Sequence, residues 1–210
     1  MTTAPGTSEL LDRLAIRELV DAWVVWRDAR RWDKFLELWH DGGAMATTWG
    51  GRATPQEFAD ATDRGFERGD RILHSLGATA VELAGTRAVA QTKLRIMQRG
   101  PVHGVLCDVT CLGRAYDFFE VRDGRWGFVL RQPIYERDSL VPVDPAETVQ
   151  LDPERLARYP EGYARLAYLQ DGLGYKIVPN MPLLEGPQVE RLYAAGAAWL
   201  RGEPLSWSLD

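Results

Sequence analysis

The sequence predicts an α+β fold in which helices come first and a sheet follows. Apolar residues recur with a helical period through the first part of the chain, and the period changes to two from Leu76 onward. Asp123-Gly124 then stands between two alternating runs, the strongest short signal for a hairpin. Helices followed by an antiparallel meander predict N-terminal helices packed on one face of a curved antiparallel sheet. At 210 residues the chain can bury one full core and carry an appendage.

Ser8 is placed to cap a first helix that begins at Glu9. Its apolar positions are Leu10, Leu14, Ile16, Leu19, Val20, Trp23 and Val24. The pattern loosens at Arg27-Asp28-Ala29-Arg30. A short second helix presents Trp32, Phe35, Leu36 and Trp39, and Gly42-Gly43 ends it. Ala44 to Trp49 reads as a short strand turning at Gly50-Gly51. Thr54-Pro55-Gln56-Glu57 is a capping box with proline at the first helical position, opening a third helix that ends near Gly65 or Gly69. Leu76–Leu83 and Arg87–Gln98 form a strand pair around Ala84-Gly85-Thr86. Arg99-Gly100-Pro101 breaks the chain. Val102–Val121 and Arg125–Tyr135 pair across the Asp123-Gly124 turn.

From about Asp138 proline becomes frequent, and two helical patches remain, Pro153–Gln170 and Pro187–Arg201. The expected organisation is a domain over residues 8–137 and an extension over 138–210 that packs on the domain or on a neighbouring subunit. The extension's Leu, Tyr and Ile content favours docking over a loose tail.

Composition excludes several function classes. A net charge of −5 argues against a general nucleic-acid or anionic-membrane surface. No stretch approaches a transmembrane length. Met1–Thr7 shows no basic patch and no apolar run, so no secretion signal is expected and the cytoplasm is the expected compartment. Cys107 and Cys111, the only cysteines, read as reduced, buried strand residues. No histidine pair has metal-ligand spacing, no glycine-rich phosphate loop is present, and no Gly-x-Ser-x-Gly elbow occurs. No metal, cofactor or serine nucleophile is therefore expected.

Two residues carry the chemistry. Ile16, Val20 and Val24 recur every fourth residue, and Asp28 is the next member of that series. A carboxylate on a core-facing stripe is costly unless a polar group meets it. His74, at the entry to a strand, is the candidate partner, and an Asp–His pair in an apolar pocket is a general base. Eight tryptophans add a second signal, since Trp23, Trp26, Trp32, Trp39 and Trp49 fall in one short region. They serve the core, a ligand cavity, or both. His40 reads as a structural residue at a helix end, and His103 as a rim residue at a strand start. Arg131 is a fixed cation if it points inward and a surface charge if it points outward.

The run Ala15-Ile-Arg-Glu-Leu-Val-Asp-Ala-Trp, then Arg27-Asp-Ala-Arg-Arg-Trp-Asp-Lys-Phe-Leu-Glu-Leu-Trp-His-Asp, resembles the opening of SnoaL-like proteins. His74 before the Glu82–Ala88 hairpin and the ending Asp123-Gly-Arg-Trp-Gly-Phe fit the same pattern over residues 8–137. These proteins belong to the nuclear-transport-factor-two-like superfamily. The resemblance implies a cone-shaped, cystatin-like fold with a C-terminal extension outside the standard domain. The superfamily includes polyketide cyclases, scytalone dehydratase, bile-acid dehydratase, hexachlorocyclohexane dehydrochlorinase and non-enzymatic members, so fold alone decides little. By resemblance, Asp28 orients His74, His74 takes a carbon-bound proton, and Arg131 matches a pocket arginine of the dehydrochlorinase. Trp23 stands where some relatives have a tyrosine or lysine, and Thr92 where scytalone dehydratase has a second histidine.

The resulting expectation is a cofactor-independent lyase, dehydratase- or dehydrohalogenase-like, acting on a small apolar cyclic substrate. His74 and Asp28 form the dyad, and Arg131 or Thr92 polarises the departing or enolising group. Trp23, Trp49 and Tyr116 line the pocket. Alternatives are a polyketide-cyclase-like isomerase and a non-catalytic binding or assembly module. Exposed Tyr, Phe and Val on the open sheet face, together with the resemblance, predict a homodimer or homotrimer.

Overall fold

The computed structural model describes residues 6–209; residues 1–5 of the segment read for a leader lie outside the described residues. Helix α1 spans Thr7–Asp28 and buries Ile16, Val20, Trp23, Val24 and Arg27. Gly6 occupies its N-cap position without a side-chain cap, so the expected Ser8 cap does not form. Leu10 and Leu14, expected in the core, are 52% and 55% exposed. At 100° per residue Leu14 lies about 160° around the helix from Ile16, off the buried stripe. The short helix α2 covers Trp32–Leu36, and α3 covers Pro55–Arg68. Thr54 and Glu57 close the capping box of α3, and Gly69, at φ +101°, ends it in the left-handed conformation.

Six strands form one sheet, β1 (Trp39–Thr47), β2 (Gly51–Ala53), β3 (Arg71–Ala84), β4 (Arg87–Val102), β5 (Val105–Arg122) and β6 (Arg125–Pro142), in the order β2-β1-β6-β5-β4-β3. The meander β3 to β6 is antiparallel, while β1 joins β6 in parallel. Gly42-Gly43 sits inside β1 at a register shift between Trp39 and Ala44 and ends no helix. Arg99-Gly100-Pro101 does not break the chain either. The β3 ladder stops at Arg71↔Arg99, so Pro101 lies where β4 is an edge and no amide N–H is required. The turn falls instead at His103-Gly104, both at positive φ, as a two-residue hairpin requires.

Helices pack on both faces of the sheet, while the outer face stays open around Leu73, Leu106 and Val141. At one end of the inner face, α1 to α3 bury Trp23, Phe35 and Phe58, with Trp39 of β1, against Ala88, Ala90, Phe119 and Phe128. At the other end the C-terminal segment packs Tyr163, Leu166, Tyr168 and Leu169 against Val109, Cys111 and Tyr135. This segment comprises α4 (Pro153–Leu156), a 3-10 turn at Glu161–Tyr163, α5 (Ala164–Gly172) and α6 (Pro187–Leu200). The expected Pro153–Gln170 helix is thus interrupted, with Pro160 preceding the 3-10 turn. Asp138 on β6 accepts from the Arg165 and Leu166 backbone N–H groups at 2.6 and 2.8 Å, tying the start of α5 to the sheet. On the outer face α6 lays Val189, Leu192, Ala195 and Trp199 over Tyr116, Phe118, Leu130 and Ile134. Gly196 meets the Tyr116 hydroxyl directly. The aromatic strand surface from which a subunit contact was expected is therefore occupied, at Tyr116 and Phe118, by the chain's own helix.

Gly113 lies at a register shift in the β5–β6 ladder, and a Cβ there would collide with the Ile134 carbonyl oxygen. Gly113→Ala is expected to lower stability by up to about 3 kcal/mol through backbone overpacking. Thermal unfolding reads this, and an unchanged Tm would show that the ladder yields at no cost.

Candidate functional site

The last turn of α1 and the first part of β3 meet at one carboxylate. Asp28 Oδ2 accepts the His74 backbone N–H at 2.7 Å, and Asp28 Oδ1 accepts from the His74 ring at Nδ1, 2.9 Å away. An ionised carboxylate only accepts, so the proton sits on Nδ1 and the lone pair on Nε2. β3 begins at Arg71, five residues before the expected start, which places His74 within the strand rather than at its entry. Ile72 and His74 alternate to the inner face, whereas Leu73 between them is 57% exposed.

Arg27 is the unexpected third member. It is only 2% exposed, and its Nη1 donates to Asp28 Oδ1 at 3.0 Å and to the Ile72 carbonyl at 2.9 Å. Its guanidinium also lies 5.1 Å from the Phe66 ring. Burial pushes the Asp28 carboxyl up, but the His74 ring bond and the Arg27 charge outweigh this and hold it below the ordinary carboxylate value. Burial pulls His74 down to about 4, with Arg27 adding to the depression and Asp28 opposing it. The imidazole is therefore neutral at neutral pH.

Arg131 points inward. Its fork binds Asp117 through Nε and Nη2 at 2.8 and 2.7 Å, both side chains being almost wholly buried. Burial raises the Asp117 carboxyl in spite of that fork. The Arg131 guanidinium lies 4.2 Å from the Trp23 ring centroid, and the Trp23 ring stands edge-on to His74 at 5.6 Å.

These groups surround a narrow hollow of about 50 Å³. Trp23, Trp49, Phe58, Ile72 and Leu94 give it apolar walls, and Arg27, Thr48, His74 and Arg131 face it with polar groups. Leu166 and Gln170 of α5 close it from the C-terminal segment. A buried chain runs from the Thr48 hydroxyl to Gln170 Oε1 at 2.7 Å and from Gln170 Nε2 to Gln98 Oε1 at 3.0 Å. Next to it, Tyr175 packs on Trp49 and bonds to Asp70 and Arg68. The hollow has room for a few waters, not for a cyclic molecule.

The structure brings Asp28, His74, Arg131, Trp23 and Trp49 together and separates two others. Tyr116 lies on the outer face beneath α6, because β5 alternates and Ala115, Asp117 and Phe119 take the inward positions. Thr92 is fully buried and does not line the hollow; its hydroxyl is paired with Thr79 at 3.0 Å. His40 belongs to β1 and not to a helix end, and its Nε2 is bonded to the Glu120 carbonyl. His103 sits in the β4–β5 turn, its ring bonded to the Tyr168 hydroxyl at 2.6 Å. Arg27, Asp117 and Gln170 were not anticipated. Asp117 carried a legible signal, a charge at an inward position of an apolar strand; Gln170 carried none. Among the described residues no group of three His, Cys, Asp or Glu side chains is placed to hold a metal ion, and no helix is long and apolar enough to cross a membrane.

Residues 8–132 match the family model of the SnoaL-like domain. A PEP2-like protein of Fusarium vanettenii is 37% identical over 93% of this chain and 88% of its own. Pea pathogenicity protein 2 of the same fungus is 36% identical with the same coverage. Among solved structures, a putative scytalone dehydratase of Novosphingobium aromaticivorans is similar at TM-score 0.53 and 16% identity, over 68% of this chain and 97% of its own. A hexachlorocyclohexane dehydrochlorinase of Novosphingobium barchaimii is similar at TM-score 0.54 and 16% identity, with the same coverage. At such identity the likeness to the two solved structures is one of fold.

The depressed His74 fixes a sign for the pH dependence of stability. The unfolded chain takes up this proton near pH 6.5, the folded protein only near pH 4. The stability this residue contributes is full above pH 6.5 and falls as pH drops toward 4, by about 3 kcal/mol in total. Chemical denaturation of His74→Gln across that range should show a correspondingly flatter profile. An equally steep profile would mean that the imidazole is not held neutral.

Proposed function

The chain belongs to the SnoaL-like domain family, and on that premise we propose that it is a cofactor-independent lyase or isomerase that removes a carbon-bound proton with His74. The observation that carries this reading is the double acceptance by Asp28, which fixes the ring and leaves the Nε2 lone pair as the only basic site of the dyad. Asp28 holds the tautomer and offsets the imidazolium as it forms. Trp23 and Trp49 shape the apolar wall, and Arg131, pre-set by Asp117, faces the position where negative charge develops. A base this weak in the resting site acts only if the anion formed beside it is stabilised at the same moment. Water exclusion by α5 strengthens that stabilisation.

The names of the fold neighbours, a putative scytalone dehydratase and a hexachlorocyclohexane dehydrochlorinase, support an elimination. A polyketide-cyclase-like isomerisation uses the same first step. Because the hollow is smaller than a cyclic substrate, admission requires Leu166 and Gln170 to shift with α5. That closed state also favours one second reading, a non-catalytic module whose pair merely ties α1 to β3.

A screen of small hydroxylated, halogenated and carbonyl-bearing cyclic compounds for solvent deuterium incorporation or elimination tests the proposal. Once an activity is found, His74→Ala and Asp28→Asn should each lower kcat by about 10²–10⁴-fold, the range for a positioned acid–base group. Undiminished turnover in both variants would favour the non-catalytic module.

A further inference from the structure

The polar groups around the hollow are unbalanced in kind. Three of the lining side chains carry a buried N–H group with no acceptor: Trp23 Nε1, Arg27 Nε and Arg131 Nη1. Buried donors are rarely left unpaired in folded proteins, and these three line one hollow. The acceptors nearby are already used. Asp28 takes the His74 backbone, the His74 ring and Arg27, and Asp117 takes the Arg131 fork. Gln170 Oε1 takes the Thr48 hydroxyl. Both cations act on the His74 ring across the hollow. What is missing is an acceptor that enters from outside.

We propose that Arg27, Arg131 and Trp23 form an oxyanion receptor within the hollow, and that the molecule acted on there presents a carboxylate or an enolate oxygen to it. Two guanidinium N–H groups and an indole N–H suit an oxygen carrying full or developing negative charge. Each cation has its own carboxylate, so the walls are close to neutral before the ligand arrives, and an anion entering them compensates the two charges that oppose His74 protonation. Arg27 is then a binding residue as well as the partner of Asp28. The link from receptor to turnover rests on the reading of His74 as base; the receptor itself does not.

The hollow is small enough that acetate and acetamide are suitable probes. In the full chain, the indole N–H resonance of Trp23 and the ring resonances of His74 are followed by NMR during titration with either compound at constant ionic strength, with sodium chloride as the control. A saturable Trp23 shift with acetate, together with a rise of at least one unit in the His74 titration midpoint, is the expected result. Response to acetate alone assigns a standing carboxylate. Response to acetamide assigns a carbonyl oxygen that becomes an enolate. Arg27→Met should reduce the affinity for the responding probe at least tenfold, and Arg27→Lys, which keeps the charge without the Nε–H, should weaken it less. Should Arg27→Met not fold, Trp23→Phe keeps the ring, removes one donor and should also weaken binding. No saturable response to either probe, or unaltered affinity in the folded variants, overturns the receptor. The Trp23 response should persist in His74→Ala, so failure of the proton-abstraction reading would not be mistaken for failure of the receptor.

Discussion

One carboxylate joins the two halves of the domain. Asp28 ends α1 and accepts twice from a single residue of β3, once from its backbone and once from its ring. The backbone bond fixes where along β3 the helix lands. The ring bond fixes which nitrogen of His74 bears the proton. Position and protonation state are therefore set by the same group. Neither oxygen can be satisfied by a different register without leaving a buried polar atom unpaired. The apolar stripe Ile16, Val20 and Val24 makes this contact obligatory, because packing those residues on the sheet delivers the next member of the series, Asp28, to the same face.

The price of bringing a carboxylate there is a buried cation, and that cation changes the chemistry. Asp28 alone would raise the basicity of His74. Burial reverses the direction, and Arg27, which takes part of the same carboxylate, adds to the reversal. Arg131 repeats the arrangement across the hollow, its charge matched by Asp117 and its face laid on Trp23. The result is a site with little standing net charge and an unprotonated imidazole. Such a site is biased toward stabilising an anion rather than toward holding a proton. On the proposed reading, imidazolium and carbanion develop together there, and the apolar walls strengthen their attraction.

Much of this was legible and some was not, for identifiable reasons. The helical stripe, the capping box at Thr54–Glu57 and the Asp123-Gly124 hairpin depend on local spacing, and the structure has all three. The Asp28–His74 contact was legible because an acid on an apolar stripe demands a partner. The facing of Arg131 was not. Phe128 and Arg131 are three apart, so strict alternation puts them on opposite faces; a register shift between the Phe119↔Phe128 and Phe118↔Leu130 pairs brings both inward. The same kind of shift between Leu76 and Thr79 alters the register beside Thr92. Glycine and proline misled where tertiary pairing overrode their usual meaning, at Gly42-Gly43 inside β1 and at Pro101 on an unpaired edge. Tyr116 was placed in the pocket although it shares a face of β5 with Asp108, Thr110, Arg114 and Glu120; its aromatic ring, and that of Phe118, obscured this alternation. The docking of α6 is what buries these two rings on that otherwise polar face.

The C-terminal segment turns an open fold into a closed one. The two Novosphingobium structures align with 68% of this chain and with nearly all of their own, whereas the Fusarium relatives align over 93% of it. The segment is thus a shared property of the longer relatives and not of the fold. Its α5 supplies Leu166 and Gln170 to the hollow, and Asp138 pins the first turn of that helix to β6. At its far end the Gln170 amide is bonded to Thr48 and Gln98, beside the Tyr175–Asp70 clasp. Leu169, 1% exposed, packs at that end in the same apolar cluster as Tyr163 and Leu166, so α5 is held at its start by a buried carboxylate and at its end by apolar packing together with buried hydrogen bonds. Leu166 and Gln170 thus bound the hollow from beyond the residues that match the family model, while Asp28 and His74 lie within them.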